Sequence, residues 1–160
     1  MAEPPPVVNA SPIILLHRID ALALLRTAGD ALVVPEAVMS ELSAKEDGAA
    51  RAAVSASWLS VVAAPPPSPT LQAFDLGAGE TAVLAWAEAH SGTVAILDDR
   101  AARDAASELG VGVRGTIGLV LLAKQRGQIR SARSILEDLQ RSGMYLARQL
   151  VEDALKLVGE

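Results

Sequence analysis

Five short apolar runs, separated by stretches with helical spacing, constrain this chain more than any other feature. The runs cover residues 6–9, 31–34, 59–63, 93–97 and 111–113. Between them, residues 35–44, 79–89, 100–109 and 116–126 carry apolar side chains at the three- and four-residue spacing of helices. Ser11 followed by Pro12 predicts another helix start, with serine at the N-cap and proline at the first helical position. That helix is expected to restart near Asp20, and Asp47 can cap a helix through residue 57. Short strands alternating with helices predict a mostly parallel sheet covered on both faces. Residues 131–141 and 146–158, parted at Gly143, add a C-terminal helical pair, and the Pro-rich residues 65–69 read as a stiff connection.

Ligands of an open parallel sheet collect beyond the carboxyl ends of its strands. The fourth run ends there in Leu97-Asp98-Asp99-Arg100. Adjacent carboxylates repel unless a cation neutralises them. No packing role for the pair is evident in the sequence, so a divalent metal site is expected at this end of the sheet.

Three other positions could join it. Asn9 ends the first run, where an amide can touch a metal or its water. Taken alone, it reads first as a simple Asx or Ser cap on the following helix. Glu41 lies about 60° around its helix from the apolar Val38, so it either needs a partner or reaches solvent. Glu36, on nearly the opposite side, reads as a first-turn acid favoured by the helix dipole. Glu80 opens an almost wholly apolar helix, as a site residue or as another first-turn acid. Gly77 and Gly79 before it permit close backbone approach. Oxygen ligands of this kind suit Mg²⁺ or Mn²⁺, ions that activate water for in-line phosphoryl displacement.

With 160 residues, 51% of them hydrophobic, the chain is expected to form one domain spanning residues 1–160. Lack of cysteine excludes disulfides and thiolate-held metals and fits a reducing cytoplasm. The start, Met-Ala-Glu-Pro-Pro-Pro, has no basic region and no apolar stretch of signal length. Nor does any run reach the roughly 20 apolar residues of a membrane span. The expectation is therefore a cytoplasmic protein without a membrane segment. A net charge of −5 counts against a broad nucleic-acid-coating surface, though an acidic metal site itself lowers the total. Arg100, Arg103, Arg114, Lys124, Arg126, Arg130 and Arg133 form either ordinary solvated helix faces or a phosphate-contacting patch.

In order, the chain carries Val-Val-Asn-Ala-Ser-Pro, Val-Pro-Glu-Ala-Val-Met-Ser-Glu-Leu, Leu-Gly-Ala-Gly-Glu-Thr-Ala, Leu-Asp-Asp-Arg-Ala-Ala-Arg and Gly-Thr-Ile-Gly. Taken together these resemble PIN-domain proteins, and most closely the branch that starts Asn-Ala-Ser-Pro or Asn-Thr-Ser-Pro. The resemblance covers nearly the whole chain. It implies a three-layer α/β/α sandwich with about five strands, and a Mg²⁺- or Mn²⁺-dependent ribonuclease, commonly the toxin of a toxin–antitoxin pair. Glu41, Glu80 and Asp99 then match the family's acidic metal ligands, with Asp98 able to share the role. Asn9 stands where most members have aspartate, and Thr116 stands where a hydroxyl or acid lines the site, alongside Ser11. The ribonuclease reading gives Arg100 and Arg103 the task of steering an RNA backbone. The competing reading is a catalytically weakened binding module, because a neutral Asn9 lowers the charge of the site.

Other signals carry less. Gly110-x-Gly112-x-x-Gly115 matches a dinucleotide motif by letter only, since its first glycine ends a helix. His17 and His90 lack spaced partners, and Trp58, Phe74, Trp86 and Tyr145 are too scattered for base stacking. The apolar stripe of the C-terminal pair predicts a homodimer, with a small antitoxin protein as a further partner.

Overall fold

The structure is a computed structural model that describes residues 3–160. Residues 1–2, which belong to the segment read above for a leader, lie outside the described residues. Five strands form one parallel sheet: β1 (Val7–Val8), β2 (Leu32–Pro35), β3 (Leu59–Val62), β4 (Val94–Ile96) and β5 (Gly112–Arg114), in the order β3-β2-β1-β4-β5. Between β1 and β2 run α1 (Ala10–Arg18) and a 3₁₀ segment (Leu22–Thr27). Then come α2 (Glu36–Ala44) and α3 (Ala49–Ser55) before β3, α4 (Pro69–Gln72) and α5 (Ala78–Ala89) before β4, and α6 (Arg100–Glu108) before β5. The chain ends in α7 (Thr116–Gln125), α8 (Ala132–Arg141) and α9 (Arg148–Leu157). Helices flank the sheet, giving the α/β/α sandwich the sequence predicts.

Burial explains the strand composition. Val7 and Val8 at the sheet centre are fully enclosed, and β2 is buried along its length, as strands covered on both faces must be. Ala102, Ala105 and Ala106 form the buried face of α6; such small side chains let a helix lie close to its neighbours. At the far end, the Glu160 carboxylate accepts hydrogen bonds from Ala132 N–H (2.6 Å) and the Ser131 hydroxyl (3.0 Å). It thereby ties the end of α9 to the first turn of α8. Among the described residues no helix is long and apolar enough to cross a membrane.

Three local features differ from the sequence expectation. First, α1 begins at Ala10, which puts Asn9 rather than Ser11 at the N-cap, with Pro12 inside the first turn where its missing N–H costs little. Second, the stretch after Asp20 is a 3₁₀ segment, and Asp20 itself breaks the chain direction with φ +55°. Third, the Pro-rich connection ends in a helical turn, because Ser68 caps α4 by accepting from Leu71 N–H at 3.1 Å with Pro69 at the first position.

Strand order sets the site. The chain leaves β1 toward β2 and β3 on one side, then crosses over to β4 and β5 on the other. The carboxyl ends of β1 and β4 therefore flank a topological switch point, where a crevice opens. Val8 is in register with Ile96, and Asn9 N–H donates to the Ile96 carbonyl at 3.1 Å. Asn9 and, one residue past Leu97, Asp98 thus emerge from adjacent strands at this mouth.

Candidate metal centre

One wall of the mouth is made by β1, α2 and α5. Asn9 occupies the N-cap position of α1, yet its side chain makes no capping bond. Pro12 accounts for part of this, since a proline at the third helical position offers no N–H to cap. Instead the Asn9 amide nitrogen reaches toward Glu80 Oε1, at a long 3.5 Å. Its Oδ1 is buried without any partner. Leaving such an oxygen unmatched costs about 1–3 kcal/mol; Trp86 Nε1 and Thr93 Oγ1 are unmatched too, and Asn9 Oδ1 differs from them in lying beside two carboxylates.

Glu41 reaches this wall from α2, on the border of the buried Val38 and Leu42. Its Oε1 accepts the Gly79 N–H at 2.8 Å, one of the orphan donors in the first turn of α5. The glycines leave room for this approach, since a larger residue at either position would push a carboxylate aside. A Cβ on Gly79 would lie 2.6–2.9 Å from the Glu41 carboxyl atoms, and a Cβ on Gly77 would lie 2.7 Å from Glu80 Oε2. Two half-buried carboxylates are thereby folded onto one helix terminus, beside an unmatched amide oxygen. With Ser11, they line a cleft of about 270 Å³.

The other wall is built from the ends of β4 and β5, and here the acids have structural partners. Asp98 accepts from Thr116 N–H at 2.8 Å and from the Thr116 hydroxyl at 2.6 Å. Asp99 is the N-cap of α6, accepting from Ala102 N–H at 2.9 Å, and is exposed. The reading that this pair lacks a packing role is therefore corrected: one carboxylate braces the start of α7 and the other caps α6. Thr116 is fully buried behind Asp98 rather than lining the cleft.

A family model described as a PIN domain matches residues 5–160. The chain belongs to the PIN-domain family. Among curated proteins and solved structures, none matches it. PIN domains have a nuclease-like fold and generally use divalent metal ions. This PIN domain offers donors of the right kind: only hard oxygens, one of them unmatched. As the side chains stand, no three acidic or histidine groups surround a common point among the described residues.

The basic residues also divide. Arg100 is solvent-exposed and, among the described residues, pairs only with Asp104 at 3.5 Å. Arg103 approaches Gly115 and Asp98 in a separate hollow of about 760 Å³ between α7 and α9. Neither lines the acidic cleft. Arg18 and Lys45 do, and sequence reading missed both. A signal was present for Arg18, which follows Ser11 by seven positions, a spacing that returns a side chain to the same helix face; Lys45, just past the end of α2, had none.

Proposed function

We propose that this PIN domain is a Mg²⁺- or Mn²⁺-dependent endoribonuclease of the Asn-Ala-Ser-Pro branch, the toxin of a toxin–antitoxin pair acting in the cytoplasm. The observation that carries the reading is the buried, unpartnered Asn9 Oδ1 beside Glu41 and Glu80 at the sheet's switch point. Among the described residues no ion pair reaches either glutamate, so their charge is left for a cation from outside.

Glu41, Glu80 and Asn9 would hold the ion; Asp98, which lines the neighbouring hollow with Arg103 rather than this cleft, would join them only by turning toward it. The two hydrogen bonds from Thr116 fix Asp98 in the way a ligating carboxylate is commonly held. This reading leaves Asp99 outside the ion-holding set, since its Oδ2 serves as the cap of α6. A divalent ion bound here supplies an activated water and positive charge at the phosphate. The chain's own residues orient that chemistry: Gly79 N–H holds Glu41, the Asn9 amide steadies Glu80, and Thr116 holds Asp98.

A second reading, the catalytically weakened module, is favoured by the neutral Asn9 and by the absence of three acids around one point among the described residues. Calorimetry with Mn²⁺, joined to an RNA cleavage assay, separates the two. Binding with cleavage supports the ribonuclease, whereas silence in both supports the module. Exposed Tyr145, Leu150 and Leu157 around the hollow between α7 and α9 support a homodimer or a small antitoxin protein as partner. Light scattering at micromolar concentration reads the first directly.

A further inference from the structure

The acidic cleft carries unpaired charge of both signs. At four-residue spacing on a continuous helix, Lys45 would sit over Glu41 and pair with it. That pair is not made. The helix stops at Ala44, and Lys45 turns into extended backbone with φ −102° and ψ 121°. Lys45 is exposed, lines the cleft, and has no ion pair or side-chain hydrogen bond among the described residues. Arg18, on the same cleft, closes the last turn of α1 and donates to the Ser142 carbonyl at 3.1 Å, with no carboxylate partner among the described residues.

A ligand that satisfies this cleft must bring positive charge to its floor and negative charge to its rim. A divalent ion together with a phosphodiester chain has that pattern. We propose that Lys45 and Arg18 are positioning residues that grip the phosphates flanking the cut, so that the RNA strand runs between the C-terminal ends of α1 and α2 rather than across α6. This rests on the ribonuclease reading for its substrate. It replaces Arg100 and Arg103 as the guides, since neither of them faces the cleft. Contacts to phosphate fix the register of a strand without reading its bases. The rim therefore predicts affinity and strand path, not sequence choice.

The test uses the full chain and a fluorescein-labelled, mixed-sequence single-stranded RNA. Binding is followed by anisotropy in a Glu80→Gln background, so the readout does not depend on cleavage. Adding Lys45→Ala or Arg18→Ala is expected to weaken binding five- to tenfold. Each should also lower the slope of log affinity on log salt by about 0.7, the value for one phosphate contact on a single strand. Arg18→Lys and Lys45→Arg should restore affinity to within twofold, which separates lost charge from lost support of Ser142. In the otherwise native chain with Mn²⁺, Lys45→Ala should raise KM by a similar factor with at most a twofold change in kcat. Unchanged affinity and salt slope in both alanine variants, or no RNA binding at all, overturns the rim. Rim-dependent binding without any cleavage leaves the rim standing and defeats the ribonuclease. Cleavage that ignores both substitutions does the reverse.

Discussion

The two walls of the switch-point mouth hold the same kind of residue in opposite states. On the β1 side, among the described residues, Asn9 Oδ1 has no partner, and Glu41, which accepts one N–H from Gly79, and Glu80 face the cleft without an ion pair. On the β4 side, Asp98 and Asp99 each complete the hydrogen bonding of a helix start. The difference teaches that an acid at a strand end is not by itself a ligand; what counts is the bonding capacity left after the fold has been satisfied. Substitutions on the open wall should therefore remove function and spare stability, while those on the braced wall should cost stability.

The largest expected effect is on the open wall. Glu41→Gln or Glu80→Gln should weaken Mn²⁺ binding and RNA cleavage by more than the roughly 10–100-fold that loss of a mere supporting group costs. Melting in metal-free buffer should be unchanged or slightly improved, since a like-charge neighbour is relieved. A large drop in melting temperature would erase the contrast between the walls.

Thr116→Val probes how far the braced wall shares the function. It frees Asp98 of one bond, so Mn²⁺ affinity should fall about tenfold, and stability by about 1 kcal/mol, read by chemical denaturation. If stability falls and affinity does not, Asp98 is a brace alone. Asn9→Asp adds a charge where the unmatched oxygen lies. Calorimetry should show Mn²⁺ held about tenfold more tightly, near 1.4 kcal/mol. The metal-free fold should weaken, because three carboxylates then crowd one cleft. Asp99→Ala removes the cap of α6 and should cost about 1 kcal/mol with no change in metal affinity.

The smallest effect lies far from both walls. The Arg133 hydrogen bond and charge hold Glu152 below its ordinary value of 4.5, and the Ala132 N–H does the same for Glu160. A carboxylate depressed in the folded state stabilises it fully above that ordinary value. The contribution is lost as pH falls through the lower folded value. Glu152→Gln should therefore flatten the acid limb of a melting-temperature profile slightly, since the Arg133 pair is solvent-screened.

The sheet was legible because its strands are short apolar runs with helical stretches between them, and residues 131–158 were legible as a helix pair by the same periodicity. Boundaries moved where caps compete: Asn9 displaced Ser11 because α1 could begin at Ala10 and still place Pro12 in its first turn. Glu41 and Glu80 could be picked out, each as a carboxylate bordering an apolar element, but their meeting through Gly79 could not, since 38 positions separate the hydrogen-bonded pair. Asp98 misled for the same reason. Its partner, Thr116, lies 18 positions on. Asp99 was within reach of sequence reasoning, as an acid three residues before a helical N–H is an ordinary cap. Lys45 escaped because the expected helix ended just before it.

The central claim is that the ion is held on the β1 wall, where, among the described residues, an amide oxygen is unmatched and two carboxylates lack an ion pair, and one calorimetric titration tests it most directly. Mn²⁺ is titrated into the native chain, Glu41→Gln and Asp99→Ala under identical conditions. The account predicts saturable binding by the native chain, the same affinity within a few-fold for Asp99→Ala, and no detectable binding for Glu41→Gln. Binding that survives in Glu41→Gln but vanishes in Asp99→Ala, or a native chain that takes up no Mn²⁺, would contradict it.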